Sequence, residues 1–458
     1  MLDPQACVAA DEGAEALEPS SSVALPSVGV VVTGDNHLSP RLPRLTPQRR
    51  EQRRERLCQA FAAAVDYAIA HHARIFAHVG DLFDHQTPSN RDRAFVAEEL
   101  ARLRQAGIIC VAIGGNHDTP RMRTEHGGAG PQWVYAALDG LRYFGAHDVL
   151  RPKLLEINGL RIAVAGLTNN PVAPPGSDPL AQARVDDPKG ALAQADVGLL
   201  LLHAAIEGMS MPNEGERTVT LASLDALDPR FNVVAAGHIH RYAHQRIGGR
   251  EVVVTGSTEV MEFGAHAGGA GFAWLELTRE GAQHIQHIHL EAQPRKDITL
   301  STENLWPENR AFAMGVTGTL VGRDAALLEA AQTLPAATPL ETIRQALADC
   351  TPETITRLRI AGPLTRDQYH ELPTREILRM GQERAFSLDL DTRDLYLFDP
   401  DAGGFAPTTG IGPISLLDEL DALVTARRQS ASGAADDLEA AARLLRERIS
   451  AAEGERGQ

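Results

Sequence analysis

The sequence predicts a layered α/β domain, then a smaller α+β domain, then two C-terminal helices. Short apolar runs alternate with stretches of helical periodicity over about the first 290 residues, which is the order expected of a layered α/β fold. Beyond about residue 292 this pattern gives way to alternating strands and amphipathic segments. A chain of 458 residues has room for two or three such domains.

Short apolar runs and two long helices make up the first domain, residues 28–292. Helices are predicted over 46–72 and 90–105 from their apolar spacing. The arginines at the start of the first helix are expected to form a solvated face, with contact to DNA phosphates as the alternative. The predicted strands are 28–33, 74–79, 108–113, 161–167, 196–202, 232–236, 251–255, 271–277 and 284–290.

The segments outside this domain have different compositions. Residues 1–27 hold five acidic residues and no lysine or arginine, which predicts a disordered acidic tail. The smaller α+β domain is predicted over residues 293–410. Residues 354–361 alternate between apolar and polar side chains, as in a strand with one face towards solvent, and residues 384–398 add one or two strands. Residues 411–458 follow a glycine-rich break and carry the two amphipathic helices.

Composition excludes several functional classes. Hydrophobic residues make up 43% of the chain and charged residues 23%, both ordinary for a soluble protein. No apolar run approaches the ~18 residues of a membrane span. The four cysteines are scattered, which argues against a disulfide framework or a zinc–thiolate site and favours a reducing, cytoplasmic setting. The net charge of −16 argues against a protein that holds DNA unaided.

Polar residues follow five of the predicted strands. One such cluster alone, Asn116-His117-Asp118, is also ordinary turn chemistry. Five clusters at strand ends indicate a ligand site, since parallel strands place ligands at their carboxyl ends. Mixed carboxylate and imidazole ligands suit manganese, iron or zinc, and two such ions can clamp a phosphoryl group. The strand-end residues are Asp35, His37, Asp81, Asn116, His117, His203, His238 and His240.

These clusters resemble the five motifs of the calcineurin-like metallophosphoesterases. The matching residues are Asp35-Asn36-His37, Gly80-Asp81-Leu82-Phe83-Asp84, Gly115-Asn116-His117-Asp118, His203 and Gly237-His238-Ile239-His240. The resemblance implies a four-layer sandwich of two mixed β-sheets flanked by helices. It further implies Asp35, His37 and His240 on one divalent ion, Asn116, His203 and His238 on another, and Asp81 bridging both. His117 would then orient the phosphate or protonate the leaving group.

A narrower set of residues resembles the DNA-repair exonuclease branch, which includes the nuclease subunit of the bacterial SbcCD complex. These residues are the Asp81 motif with Thr87-Pro88-Ser89, and Gly256-Ser257-Thr258 with Glu262-Phe263-Gly264. The resemblance implies a manganese-dependent DNA exonuclease and endonuclease that processes double-strand breaks with an SbcC-type coiled-coil ATPase. Residues 293–410 would cap the DNA groove, and residues 411–458 would dock the ATPase. The resemblance is also compatible with a homodimer.

One residue departs from part of that branch. Asp84 stands where archaeal and eukaryotic relatives carry a catalytic histidine, which makes it a second candidate catalytic residue and bears on the balance of exonuclease and endonuclease action. The alternatives are a phosphatase or cyclic-nucleotide phosphodiesterase of the same superfamily, a nuclease of a DNA-defence system, and a non-catalytic scaffold. The intact Asp81, Asn116 and His117 argue against the scaffold.

Overall fold

The described part of the chain folds as two compact units. A computed structural model describes residues 26–122, 125–210, 215–263, 269–309, 338–397, 420, 424, 440 and 442–446. The first unit lies within residues 1–41, 54–258 and 268–290, and the second within 42–53, 259–267 and 291–458. Nearly all of the predicted acidic tail and of the predicted C-terminal helices lies outside the described residues.

Strands dominate the first unit. They are β1 Val28–Thr33, β2 Ile75–Val79, β3 Ile109–Ile113, β4 Arg142–Tyr143, β5 Val149–Leu150, β6 Lys153–Ile157, β7 Leu160–Gly166, β8 Arg184–Val185, β9 Val197–His203, β10 Ala205–Ile206, β11 Thr218–Val219, β12 Val233–Gly237, β13 Tyr242–Ile247, β14 Arg250–Thr255, β15 Ala270–Thr278 and β16 Gly281–Leu290. The helices are α1 Pro47–Ala70, α2 Asn90–Gln105, α3 Gln132–Ala137, α4 Ala191–Gln194 and α5 Leu221–Ala226, with a 3₁₀ turn at Glu125–Gly128. The start of α1, as far as Arg53, belongs to the second unit.

Two six-stranded mixed sheets form the framework of this unit. One has the order β16-β15-β1-β2-β3-β4 and the other β13-β14-β12-β9-β7-β6, each with four neighbouring parallel strands. Their facing side chains form one core that joins residues such as Val30 and Ile113 to Leu199 and Val233. Because these strands are buried on both faces, they read in the sequence as continuous apolar runs and not as alternating ones.

Helices cover the outer faces of both sheets. On α1, Phe61 packs edge-on against Phe76 of β2. On the other sheet, Leu224 of α5 joins a second core cluster. The resulting helix–sheet–sheet–helix order confirms the predicted four-layer α/β sandwich. The start of α2 is also explained, since the Ser89 side chain accepts a hydrogen bond from the Asp92 amide at 3.2 Å, as an N-cap residue does.

The second unit is smaller, as predicted, and combines helices with parallel strands. Its strands β17 Arg295–Ser301, β18 Ile355–Leu364 and β19 Ser387–Asp391 are parallel neighbours, and β20 Leu395–Leu397 pairs with the end of β18. Its helices are α6 Thr302–Leu305, α7 Pro339–Ala346, α8 Arg366–Glu371 and α9 Thr374–Arg384, with a 3₁₀ turn at Pro307–Asn309.

The central strand β18 has one face in the core of this unit and one face towards solvent. Leu358 and Ile360 are fully buried, whereas Arg357 and Arg359, which alternate with them, are paired with carboxylates. This alternation confirms the single wet face predicted for 354–361. Among the residues that the structure describes, no helix is both long enough and apolar enough to cross a membrane.

The arginines at the start of α1 correct one expectation. Arg53 is only 4% exposed, and its guanidinium lies 3.0 Å from the carboxylate of Glu259 and 2.8 Å from the side-chain oxygen of Gln293. All three residues belong to the second unit and come from three separate stretches of chain. The predicted solvated face is therefore wrong at Arg53, whose charge is buried because a buried carboxylate compensates it.

Candidate metal centre

The site lies where parallel strands of the two sheets end. The turns after β1 and β2 run side by side, because the amides of Asp35 and His37 donate to the carbonyls of Gly80 and Asp81 at 3.0 and 3.1 Å. Asp35, His37 and Asp81 each have a positive φ, between 46° and 53°. Only a few per cent of non-glycine residues adopt this conformation, so the turns hold these side chains in an unusual backbone state.

One cluster consists of Asp35, His37 and His240. The Nε2 atoms of His37 and His240 lie 3.2 Å apart, and His240 Nε2 lies 3.7 Å from Asp35 Oδ1. His37 Nδ1 is 3.2 Å from Asp84 Oδ1, a contact in which the ring nitrogen donates. His37 therefore presents its Nε2 lone pair to the cluster, in the way that a carboxylate orients a metal-bound histidine.

A second cluster consists of Asn116, His203 and His238. The Oδ1 atom of Asn116 lies 2.9 Å from His203 Nε2 and 3.0 Å from His238 Nδ1. His203 Nδ1 donates to the carbonyl of Val79 at 2.8 Å, which leaves Nε2 to face the cluster. His238 is held by its own amide, which donates to the carboxylate of Asp35.

Asp81 lies between the two clusters. Its Oδ2 atom is 3.3 Å from His203 Nε2 and 3.8 Å from His37 Nε2, and the residue is 1% exposed. Burial on its own would raise the pKa of Asp81, but the neighbouring His203 outweighs it and lowers the pKa. Burial would likewise lower the pKa of His203, but Asp81 raises it to about 9. The Asp81 carboxylate is thus kept charged at neutral pH and lies close to both clusters.

This donor set fits divalent metal ions. The Nε2 atoms of His37 and His240 lie 3.2 Å apart, close enough for both lone pairs to bind one cation. Three overlapping groups have ligand atoms within 4.8 Å of one another: Asp35 with His37 and His240, His37 with Asp81 and His117, and Asp35 with Asp81 and His203. Nitrogen and oxygen donors in this mixture suit first-row transition metals more than calcium.

His117 differs from the other histidines in its exposure. Its side chain is 42% exposed, whereas those of His37 and His203 are 5% and 0% exposed. Its amide donates to Asp81 Oδ1 at 2.8 Å, and its ring packs edge-on against His37. The loop therefore fixes the backbone of His117 to the centre of the site while its ring faces solvent.

The structure brings all the sequence-predicted site residues into this one region. It also shows two supporting residues: Asp118, which was named only as part of a strand-end motif, and His78, which sequence reasoning missed. Asp118 is fully buried and accepts hydrogen bonds from Gly115, Phe83 and Gln132, so it shapes the turn that carries Asn116. Burial, and then the charge of Asp81, raise the pKa of Asp118 to about 7. His78 is the other. Its signal in the sequence is a histidine inside an otherwise apolar strand.

Comparison with known proteins identifies the domain. The family description of calcineurin-like phosphoesterases matches residues 29–242, which contain all the residues of both clusters and Asp81. Residues 29–242 belong to the calcineurin-like phosphoesterase family. The position of Asp81 between the two clusters of candidate ligands fits a phosphoesterase of the two-metal type.

The chain is also similar to named relatives. The DNA double-strand break repair protein Mre11 of Sulfurisphaera tokodaii is 28% identical over 282 residues, which cover 60% of this chain and 66% of that protein. The protein of the same name from Saccharolobus solfataricus is 25% identical over 284 residues, 61% of this chain and 68% of that protein. A dimetal phosphatase from Danio rerio aligns with a TM-score of 0.34 and 11% identity, covering 58% of this chain and all of that one.

Proposed function

We propose that the protein is a DNA nuclease that hydrolyses phosphodiester bonds with two divalent ions, most simply Mn²⁺, in the processing of DNA double-strand breaks. The observation that carries the proposal is the position of Asp81 Oδ2, which lies 3.3 Å from His203 Nε2 of one cluster and 3.8 Å from His37 Nε2 of the other. Such a carboxylate can bridge two ions at the spacing of ~3.5–4 Å that phosphodiester hydrolysis uses.

The choice of DNA as substrate is supported by relatives and not by the site alone. The two relatives described above are named as DNA double-strand break repair proteins. Since about a third of each relative lies outside the aligned segment, its activity is carried to this chain as a proposal only. The second unit and its predicted role as a cap over the DNA groove belong to the same proposal.

Each side chain has a distinct part in this proposal. Asp35, His37 and His240 would hold one ion, Asn116, His203 and His238 the other, and Asp81 both. When bound, the ions would neutralise the phosphate and lower the pKa of the attacking water. Asp84 keeps Nε2 of His37 free for an ion by accepting from Nδ1.

The exposed ring of His117 provides the general acid in this proposal. Its side chain is 42% exposed while its amide is fixed to Asp81, so the ring can reach a bound phosphodiester without leaving the site. There it would protonate the departing sugar oxygen or position the phosphate.

The experiment that tests the proposal is plasmid nicking with purified full-length protein and Mn²⁺. Nicking that needs Mn²⁺, stops with EDTA and is lost in Asp81→Ala would support it. The matched assays use p-nitrophenyl phosphate and a cyclic nucleotide under the same conditions. Hydrolysis of either substrate with no nicking would replace the nuclease with the phosphatase or cyclic-nucleotide phosphodiesterase alternative. No hydrolysis of any substrate by a Mn²⁺-bound protein would contradict an enzymatic role.

The proposed partner is a coiled-coil ATPase of the SbcC type, docked by residues 411–458. This proposal rests on the sequence resemblance, because almost all of that segment lies outside the described residues. Deleting residues 412–458 is expected to preserve Mn²⁺-dependent cleavage of short single strands and to abolish co-purification with a co-expressed ATPase. Normal ATPase binding by the truncated protein, or its unfolding, would show that the helices belong to the protein's own fold.

A further inference from the structure

His78 lies inside β2, a strand whose other residues are apolar and buried. The residue is 5% exposed, and both of its ring nitrogens have partners. The amide of Gly80 donates to His78 Nδ1 at 3.2 Å, and His78 Nε2 lies 2.7 Å from Asn36 Oδ1. Because Nδ1 accepts from an amide, the proton of the neutral ring lies on Nε2 and is donated to Asn36.

Both partners of His78 lie next to predicted metal ligands. Asn36 is flanked by Asp35 and His37, and Gly80 directly precedes Asp81. The ring of His78 therefore joins the turn after β1 to the turn after β2 through side-chain bonds. These bonds add to the backbone bonds that already run between the two turns.

The side chain of Asn36 is fixed from its other end as well. Its amide nitrogen lies 2.9 Å from Thr258 Oγ1 and 3.3 Å from Thr33 Oγ1, and Asn36 and both threonines are fully buried. Asn36 thus acts as an anchor between two residues with positive φ, Asp35 and His37. Without the proton from His78, the Asn36 oxygen would be a buried acceptor with one partner fewer, which is costly in a site closed to water.

Histidine suits this position because it offers one donor and one acceptor on a rigid ring. Burial, and then the charge of His203, lower the pKa of His78 to about 3, so the ring is neutral across the physiological range. A leucine would fill similar space without either bond. If His78 only fills the core, replacing it will change the stability of the fold and leave ion binding unchanged. If His78 holds the two turns in place, replacing it will also change ion binding.

We propose that His78 is a positioning residue that sets the metal affinity of the site by holding Asn36 and Gly80 in one hydrogen-bonded unit. The inference rests on the ligand roles proposed for Asp35, His37 and Asp81, and goes beyond them by assigning a function to a residue that contacts no ion. The ion held by Asp35 and His37 is the one affected most, because their turn carries Asn36.

The test separates the two bonds of His78 with three variants. His78→Gln places an amide donor near the position of Nε2 but offers Gly80 no acceptor. His78→Asn keeps an acceptor near the position of Nδ1 but does not reach Asn36. His78→Leu removes both bonds. Mn²⁺ binding to the purified full chain is followed by the electron paramagnetic resonance signal of free Mn²⁺, and the Tm of the metal-free protein is recorded in parallel.

The expected order of Mn²⁺ affinity is wild type, then His78→Gln, then His78→Asn, then His78→Leu. Loss of a group that orients a ligand typically weakens metal binding by about 10–100-fold, and we expect His78→Leu to fall in that range. Partial recovery by His78→Gln is the result that a merely structural role does not give. The matched control is Ile75→Ala at the opposite end of β2, which should lower the Tm and leave Mn²⁺ affinity unchanged.

If His78→Leu does not fold, Thr258→Val tests the same inference with a smaller change to the site. It removes one bond to Asn36 and is expected to weaken Mn²⁺ binding by a few-fold. Wild-type affinity in Thr258→Val and in the folded His78 variants, even with a lowered Tm, would overturn the inference. A wild-type protein that binds Mn²⁺ but does not cleave DNA would refute the nuclease proposal alone, because the His78 series is measured by binding.

Discussion

Replacing Asp84 with asparagine tests how the site orients a ligand. One oxygen of Asp84 lies 3.2 Å from His37 Nδ1, and the other accepts from the Arg41 amide at 3.2 Å. Both neighbours are donors, so a carboxylate satisfies both and an amide satisfies only one. In Asp84→Asn the amide NH₂ must face either His37 or Arg41, and the ring of His37 loses a charged partner.

The size of the effect follows from the kind of bond that is lost. A hydrogen bond to a charged group contributes about 1.5–3 kcal/mol and a neutral one about 0.5–1.5 kcal/mol. The difference between the two kinds of bond is about 1–1.5 kcal/mol. Because Asp84 is partly exposed, we expect the loss of binding free energy to lie at the lower end of this range. We therefore expect Mn²⁺ to bind about 5–10-fold more weakly at the metal position to which His37 is proposed to contribute.

The same substitution changes the pH dependence in a defined direction. Burial opposes protonation of His37, but the hydrogen bond to Asp84 and the charges of Asp81, Asp35 and Asp84 together outweigh burial and raise the pKa of His37. In Asp84→Asn that pKa falls, so protons compete less with Mn²⁺ at low pH. The difference in affinity between wild type and variant should consequently be larger at high pH than at low pH.

Isothermal titration calorimetry with Mn²⁺ on the metal-free protein measures this affinity. Asp196→Asn is the matched control, because it makes the same chemical change just before the amino end of β9, the end opposite His203. Unchanged Mn²⁺ affinity in Asp84→Asn together with lost DNA cleavage would refute the orienting role. That result would instead favour direct action of Asp84 on the substrate, its predicted catalytic role.

Three further predictions concern the centre of the site. Asp81→Ala should abolish Mn²⁺-dependent hydrolysis and the binding of a pair of ions, because the shared carboxylate is gone; two ions with normal turnover, seen by calorimetry and nicking, would contradict this. His117→Ala or His117→Asn should retain both ions and lower turnover by about 10²–10⁴-fold, as expected for a general acid; lost ions would make His117 a ligand. Since the metal-free pKa of His203 is about 9, its proton must leave on binding, and Mn²⁺ affinity should rise about tenfold per pH unit towards that value. Affinity that does not change with pH would exclude His203 as a ligand.

The sequence predicted the parts of the fold that depend on local pattern. β1 and α2 have the predicted bounds, and β2, β3 and β12 begin one residue later than predicted. These elements are either strands buried on both faces or a helix with an N-cap residue, so the adjacent residues indicate where each element begins and ends. β13 and β17 were missed, because β13 is a polar, partly exposed edge strand and β17 begins with three consecutive charged residues, which are not typical of a strand.

The convergence of the candidate ligands was predictable from the sequence, because the carboxyl ends of parallel strands meet at one edge of a sheet. The residues that support these candidate ligands were not predictable. The role of His78 depends on Asn36, which is 42 residues away, and the burial of Arg53 depends on Glu259 and Gln293. No local pattern in the sequence specifies such distant partners.

The buried cluster around Arg53 also bears on how the protein is made. Arg53 leaves the ribosome 207 residues before Val260, whose carbonyl it contacts, and at about 5–20 residues per second that interval lasts roughly 10–40 s. During this time the guanidinium has none of its final partners from residues 259–293. A fragment beginning at residue 291 would likewise lack Arg53 and Glu259. Expression of the second unit by itself would therefore need residues 42–53 and 259–267 to be joined to it.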